Sequence, residues 1–471
     1  MDSTAKKTVF KNAAAIVTCD ARDTVLRNAD ILIEGPRISA IGPDIETHGA
    51  DVIDAAHCFI YPGLINTHHH FFQMFVRNLL TVDYPNMQVL DWLNEIYPIF
   101  KRIDTDCVYY ASLAAMADLL KHGCTTAFDH HYCFPSHTEI ELVDRQFEAA
   151  SQLGMRFHAG RGTNTLPMSH GSTVPDEMCE TTDGFLADCE RLIDTFHDSA
   201  PFSMGQIVVS PCQPINCFRE TFVESLALAR DKGVRLHTHL GEGENIAMEE
   251  RWGMRTLAWC QEIDFVGEDI WYAHGWELTP EEYRVMAESG TGLSHCPAPA
   301  VLGGFNIIDM PAMQKSGMRL SLGVDGSATN DGSNPLDTLR MAFLMQCFHG
   351  KSRGGSPTPY EMLKIATRGG ADILGRQDLG CLEAGKAADL FMIQTDKMEY
   401  AGAVHDPANF LARVGVTGPV DLTMVNGKVV YQDGAFDGMD QAAMFAAAEK
   451  VCNRVIRSNN PAYGSSSLGK M

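Results

Sequence analysis

Eight apolar, β-type runs separated by helical patterns occupy residues 62–380, and no other feature narrows the fold as far. The runs are GLINTHHH, CTTAFDHH, MRFHAGR, QIVVSPC, VRLHTHL, IWYAHGW, TGLSHCP and MRLSLGVDG. Between them lie helical stretches at 104–122, closed by Gly123, at 219–232, at 280–289 with Pro280 in its first turn and Gly290 after it, and at 336–349. Strand and helix alternating in this way predict an α/β fold, a (β/α)8 TIM barrel of parallel strands. Outside that region the texture changes. Residues 8–61 read as short strands with polar turns, which predicts a small antiparallel sheet, and strand texture returns in AGKAADLFMIQ and PVDLTMVNGKVVYQDGAF. The early and late strands are expected to pair around the barrel. A helix over about 439–457 and a Gly/Ser-rich tail, expected to be mobile, are predicted to follow.

Active sites of such barrels lie at the carboxyl ends of the strands, and here a polar or titratable residue closes nearly every run: His68 and His70, Asp129 and His130, Arg161, His237 and His239, His274, His295, Asp325. LINTHHH sets three histidines between Leu64-Ile65 and Phe71-Phe72, so burial is expected, and a buried imidazole needs a partner. In an extended strand His68 and His70 share a face while His69 points to the other side. Taken alone this motif fits a hydrogen-bonded pair of core histidines as well as a metal site. A second HxH in HTHLGE, His274 in AHGW and Asp325 in GVDG, all at strand ends, move the balance to metal. His68, His70, His239 and Asp325 supply three nitrogens and a carboxylate, a set suited to one divalent ion per chain, Zn2+ ahead of Fe2+, with a position left for water. Such an ion lowers the pKa of its water to about 7, and Asp325 and His274 are read as holding that water. Glu242, three residues after His239, is placed to shuttle a proton; the alternative is a solvated loop acid, kept open by the neighbouring Glu244.

Composition bounds the remaining classes. With 37 basic and 60 acidic residues the net charge is −23, which disfavours a polyanionic partner, so no nucleic acid is expected. No apolar run reaches the ~18 residues of a membrane span, and MDSTAKKTVF lacks a signal peptide's apolar stretch; no membrane association and a cytoplasmic location are expected. Fourteen cysteines without a CxxC pair fit reduced thiols.

PGLINTHHHFFQ, HTHLGE, AHGW, SHCP and GVDGSATND resemble, in order and spacing, the motifs of the amidohydrolase superfamily, in particular its mononuclear-metal deaminases and the triazine-degrading hydrolases grouped with them. The resemblance spans nearly the whole chain. It implies a barrel over 62–380, a composite β-sandwich formed by 1–61 and 381–436, and a C-terminal helix and tail over 437–471. It also implies that His68, His70, His239 and Asp325 bind the metal, that Glu242 is the acid/base, that His274 positions water and the reacting carbonyl, and that Gln73 contacts substrate. Arg161, His274 and Asn330 are assigned to substrate with it. A binuclear relative would carry a carboxylated lysine on the fourth strand, and QIVVSPC has none, which favours one metal. Ala300 stands where many relatives place a polar asparagine, so recognition there is expected to be less polar. His69, His130, His131 and Arg161 can equally be pocket-lining, ligand-orienting or satisfied interior groups; His57 and His170 are read as ordinary.

The predicted activity is therefore metal-dependent hydrolysis of an exocyclic amino or alkylamino C–N bond on a nitrogen heterocycle, a hydroxytriazine or a purine- or pterin-like ring, giving a carbonyl and ammonia or an alkylamine. A ring-opening cyclic amidase or a dehalogenating hydrolase on the same scaffold is the rival within enzymes. An inactive binding or scaffold member is the rival from another class. The partner is a small heterocycle, and a homodimer is implied by the resemblance. Phe71, Phe72, Met74, Phe75 and Trp92 either line an apolar pocket mouth for an N-alkyl group or pack the barrel against its first helix.

Overall fold

A computed structural model describes residues 6–78, 89–138, 141–353 and 355–457. Eight parallel strands form the central sheet: β1 (Leu64–Asn66), β2 (Cys124–His131), β3 (Arg156–Thr163), β4 (Gly205–Pro211), β5 (Arg235–Leu240), β6 (Ile270–His274), β7 (Gly292–His295) and β8 (Arg319–Leu322). They are buried on both faces, one against the axis and one against helices, and so read as continuous apolar runs without clean alternation. The ring is drawn together past the ends of β1 and β8, where Thr67 N donates to Leu322 O at 3.2 Å and Asp325 N donates to His68 O at 3.1 Å. Inside, the Thr67 hydroxyl lies 2.7 Å from Ser294 Oγ and 2.5 Å from Ser321 Oγ, a buried hydroxyl cluster that joins β7 and β8 to the chain leaving β1.

The connecting helices begin and end where their caps dictate. Thr105–Lys121 starts on Asp104, whose side chain accepts from Cys107 N. Pro280–Ser289 has a capping box between Thr279 and Glu282 and stops at Gly290, φ 72°. Pro335–Arg353 runs past the expected end at 349. Among the described residues no helix is long and apolar enough to cross a membrane.

The early strands do not make one small antiparallel sheet. Lys7–Ala13, Ala29–Glu34, Arg37–Gly42 and Asp51–Asp54 form a four-stranded sheet in which Lys7–Ala13 and Asp51–Asp54 run parallel. Ala15–Val17 leaves that sheet and joins Cys58–Pro62, again in parallel. The transfer is made at a register shift between Phe10 and Ala13, where Asn12 takes φ 58°, a conformation asparagine tolerates, and its amide is held by Asp30 Oδ1 at 2.8 Å. Cys58–Pro62 pairs antiparallel with Leu390–Gln394, and Leu422–Val425 and Lys428–Gln432 extend the same seven-stranded sheet. Phe10, Ile16, Ile31, Ile60, Leu390 and Met424 belong to one buried apolar cluster between these two sheets. The helix Gln441–Arg457 follows; the Gly/Ser-rich tail lies outside the described residues.

Candidate metal centre and active site

Residues from the carboxyl ends of β1, β5 and β8 meet on the barrel axis. His68 and His70 follow β1, His239 lies in β5, and Asp325 follows β8 with a left-handed backbone, φ 66°. His68 Nε2 and His70 Nε2 stand 3.3 and 3.4 Å from Asp325 Oδ1, and His70 Nε2 stands 3.2 Å from His239 Nε2. Ligand atoms held ~2.0–2.1 Å from one tetrahedral ion sit about 3.3–3.4 Å from each other. The spacing of these donors therefore suits a single small divalent cation.

The hydrogen bonds behind the cluster fix which nitrogens face it. His70 Nδ1 lies 2.7 Å from His130 O and His239 Nδ1 lies 2.8 Å from Cys212 O. A carbonyl only accepts, so both Nδ1 atoms carry the proton and both Nε2 atoms present lone pairs. Two bare nitrogens 3.2 Å apart, one of them 3.4 Å from a carboxylate, repel one another unless positive charge sits among them. Burial, reinforced by the neighbouring imidazoles, holds His68 and His70 well below the usual histidine range, and burial lowers His239. Neutral imidazoles are the form that binds a metal.

After β5 the chain turns through Gly241, φ 69°, and Gly243, φ 105°, a path that requires glycine and sends Glu242 back toward the axis. Its Oε1 lies 3.4 Å from His274 Nε2. Burial pushes the Glu242 carboxyl well above its ordinary value, and the charges of Asp325 and Glu244 push the same way, so it holds a proton further up the pH scale. Glu244 is not a solvated loop acid: it is buried, and its two oxygens accept the amides of Gly241 at 2.6 Å and Glu242 at 2.7 Å. His274, at the end of β6, has φ 78° and stacks on His239 with centroids 5.4 Å apart; neither of its ring nitrogens has a hydrogen-bond partner among the described residues. Strained backbone at a chemically equipped residue is characteristic of working sites.

The residues assigned to substrate divide. Gln73 packs against Gly326, where a Cβ would come within 1.9 Å of its Oε1, and that oxygen accepts Ala328 N at 3.3 Å. Asn330 Nδ2 donates to Val324 O at 2.9 Å. Both side chains thus brace the loop carrying Asp325. Arg161 is held away from the axis. Gly160 and Gly162 face inward on β3, so Arg161 points to the helical layer, where its donors meet Asp188 at 2.7 Å and Glu180 at 2.6 and 2.8 Å. An arginine saturated by two carboxylates fits the satisfied interior group that was the alternative for Arg161.

His69 is satisfied as well, with Nδ1 accepting His70 N at 2.8 Å and Nε2 lying 3.0 Å from Ser333 Oγ. His130 faces the axis and donates from Nε2 to Ser210 O at 2.9 Å; His131 faces outward against Phe72 and Phe134. Phe71, Phe72, Met74 and Phe75 are core, which favours packing over a pocket mouth: Phe72 meets Phe100 and Tyr132, and Phe71 meets Phe157. Ala300 is buried on the short helix Pro297–Leu302. Sequence reasoning left three contributors without a role. Asp129 accepts Phe71 N at 2.5 Å and Gln146 Nε2 at 2.6 Å, pinning the turn after His70. Cys296 places its sulfur within 4.8 Å of His68 and Asp325. His237 lies 2.9 Å from His68.

The Amidohydrolase family model matches residues 59–430. Hydroxydechloroatrazine ethylaminohydrolase of Pseudomonas sp. (strain ADP) is 50% identical over 460 residues, covering 95% of this chain and 96% of its own. 8-Oxoguanine deaminase of Pseudomonas aeruginosa is 35% identical over 457 residues, covering 96% and 99%. Among solved structures, atrazine chlorohydrolase from Arthrobacter aurescens TC1 complexed with zinc superposes with a TM-score of 0.90 at 31% identity, over 94% of this chain and 100% of that one.

Proposed function

Because the chain belongs to the amidohydrolase family, we propose that this barrel is a metal-dependent aminohydrolase that removes an exocyclic amino or alkylamino group from a nitrogen heterocycle, leaving a carbonyl. The observation that carries the reading is that the Nε2 atoms of His70 and His239, whose Nδ1 atoms each face a carbonyl, and the Asp325 carboxyl are gathered within 3.2–3.4 Å. His68, His70, His239 and Asp325 would hold one divalent ion, for which we propose zinc. Such an ion acidifies water and polarises the carbon under attack. Asp325 Oδ takes a proton from the attacking water, Glu242 delivers its proton to the ring nitrogen beside that carbon, and His274 Nε2 orients the incoming oxygen. The water oxygen forms the new C–O bond; the amine takes the proton held by Asp325 and leaves as the C–N bond breaks, and the remaining proton on the new oxygen passes to Glu242 as the carbonyl forms.

The 50% identity to an ethylaminohydrolase supports an N-ethylamino hydroxytriazine as substrate over an 8-oxopurine. The test is kcat/KM for matched N-ethylamino and amino hydroxytriazines and for 8-oxoguanine, following amine release. A preference of about tenfold or more for 8-oxoguanine, worth roughly 1.4 kcal/mol, overturns the triazine assignment. A dehalogenating reaction is favoured only by the fold match to a chlorohydrolase, and chloride release from a chlorotriazine in the same panel decides it. We also propose that 1–61 and 381–436 form one flanking unit beside the 62–380 barrel, with 437–471 appended, and that the enzyme is a cytoplasmic homodimer.

A further inference from the structure

His237 sits on β5 two residues before His239 and points to the same axis, because alternate residues of a strand share a face. It is fully buried between the rings of Phe128 and Trp271, with centroids 4.7 and 4.8 Å away. Its Nδ1 lies 3.0 Å from the Trp271 carbonyl and its Nε2 lies 2.9 Å from His68 Nδ1. The carbonyl can only accept, so His237 Nδ1 carries a proton, and in a neutral ring Nε2 is then bare. A bare Nε2 accepts the proton on His68 Nδ1, which leaves His68 Nε2 as a lone pair 3.3 Å from Asp325 Oδ1 with no hydrogen-bond partner among the described residues.

We infer that His237 is a positioning residue that sets the tautomer of His68, so that the Trp271 carbonyl decides, through two imidazoles in series, which nitrogen of His68 is free to bind a metal. His70 and His239 each have a main-chain carbonyl on Nδ1 and need no intermediary. The opposite tautomer would point an N–H from His68 into the space a cation must fill. The inference rests on the reading of His68 as a ligand and assigns the residue that prepares it.

The experiment titrates metal-free protein with Zn2+ against a competing chelator, in wild type, His237→Gln and His237→Asn. Glutamine can carry an acceptor out to where Nε2 stands; asparagine can still meet Trp271 O but falls short of His68. Asparagine is expected to weaken zinc binding by about 10–100-fold, and glutamine to stay within about threefold of wild type. Wild-type affinity in His237→Asn overturns the inference, and so does a loss in His237→Gln as large as that in His237→Asn. A wild-type chain that binds no zinc in the same titration overturns the ligand reading, and this inference with it. Neutron diffraction of the zinc-loaded wild type tests the proton directly, without depending on how any variant folds. A proton on His68 Nδ1 supports the assignment, and one on His237 Nε2 overturns it.

Discussion

Glu242 and His274 face each other, Oε1 to Nε2, at 3.4 Å, the one mounted on the turn after β5 and the other at the end of the neighbouring β6. Neither is among the four ligand candidates, so the delivery of a proton to the ring nitrogen separates from metal binding. Glu242→Gln is therefore expected to keep its metal and to lose turnover by about 10²–10⁴-fold, the range for a missing general acid. Metal analysis and kcat on the same sample check this. A near-normal rate would place the proton shuttle elsewhere.

His239→Ala should lose both metal and activity. Removing one nitrogen leaves His70 and Asp325 facing a gap in the ligand set. The metal-free variant should unfold near the temperature of the metal-free wild type, while added zinc, which stabilises only a protein that binds it, should raise the wild-type midpoint alone. An equal zinc-dependent rise in both would remove His239 from the ligand set.

Glu244→Gln tests the brace behind Glu242. Both carboxylate oxygens accept main-chain amides, from Gly241 and Glu242, and a glutamine would aim an N–H at one of them. One buried amide left unpaired costs about 1–3 kcal/mol, and kcat should fall with it because the turn carrying Glu242 loosens. Thermal unfolding and kcat measured together check the pair; a stable variant with a wild-type rate would show that the turn needs no brace.

Asp378 gives a pH dependence away from the active site. It pairs with Arg376 at 2.8 Å, and despite the opposing effect of burial the hydrogen bond and charge of Arg376 bring its carboxyl from 3.8 down to about 2. A folded pKa below the unfolded one means that the stabilisation is fully present above about pH 4 and is lost as pH falls toward 2. Its size is on the order of 2 kcal/mol. The stability gap between wild type and Asp378→Asn should thus be constant above about pH 5 and close below pH 4, read by denaturant unfolding across that range. A gap that widens toward acid would contradict the pairing.

The barrel was legible because each strand is short, apolar and bounded by turn chemistry, and the ligand candidates because strand parity puts His68 with His70 and His237 with His239. The same parity bears on Arg161: two glycines flank it in GRG, and since those glycines face the crowded axis, the arginine between them faces the helices. Glu244 was not legible. Nothing local distinguishes a solvated acid from one folded under its own turn, since the amides it binds become available only when Gly241 and Gly243 take their left-handed conformations. The transfer of Ala15–Val17 into a second sheet was hidden for a similar reason, resting on one backbone angle at Asn12.

The antiparallel pairing of Cys58–Pro62 with Leu390–Gln394 sets an order of events during synthesis. Gly63 is all that separates Pro62 from β1, so the strand delivering His68 and His70 is anchored in a sheet whose next member leaves the ribosome only after the whole barrel has been made. Contacts so distant along the chain form slowly and late. The first two ligand candidates to be translated are then among the last to be fixed in place, and an early, half-built barrel offers a metal no finished cradle. Loading would mark the completion of folding and would not start it.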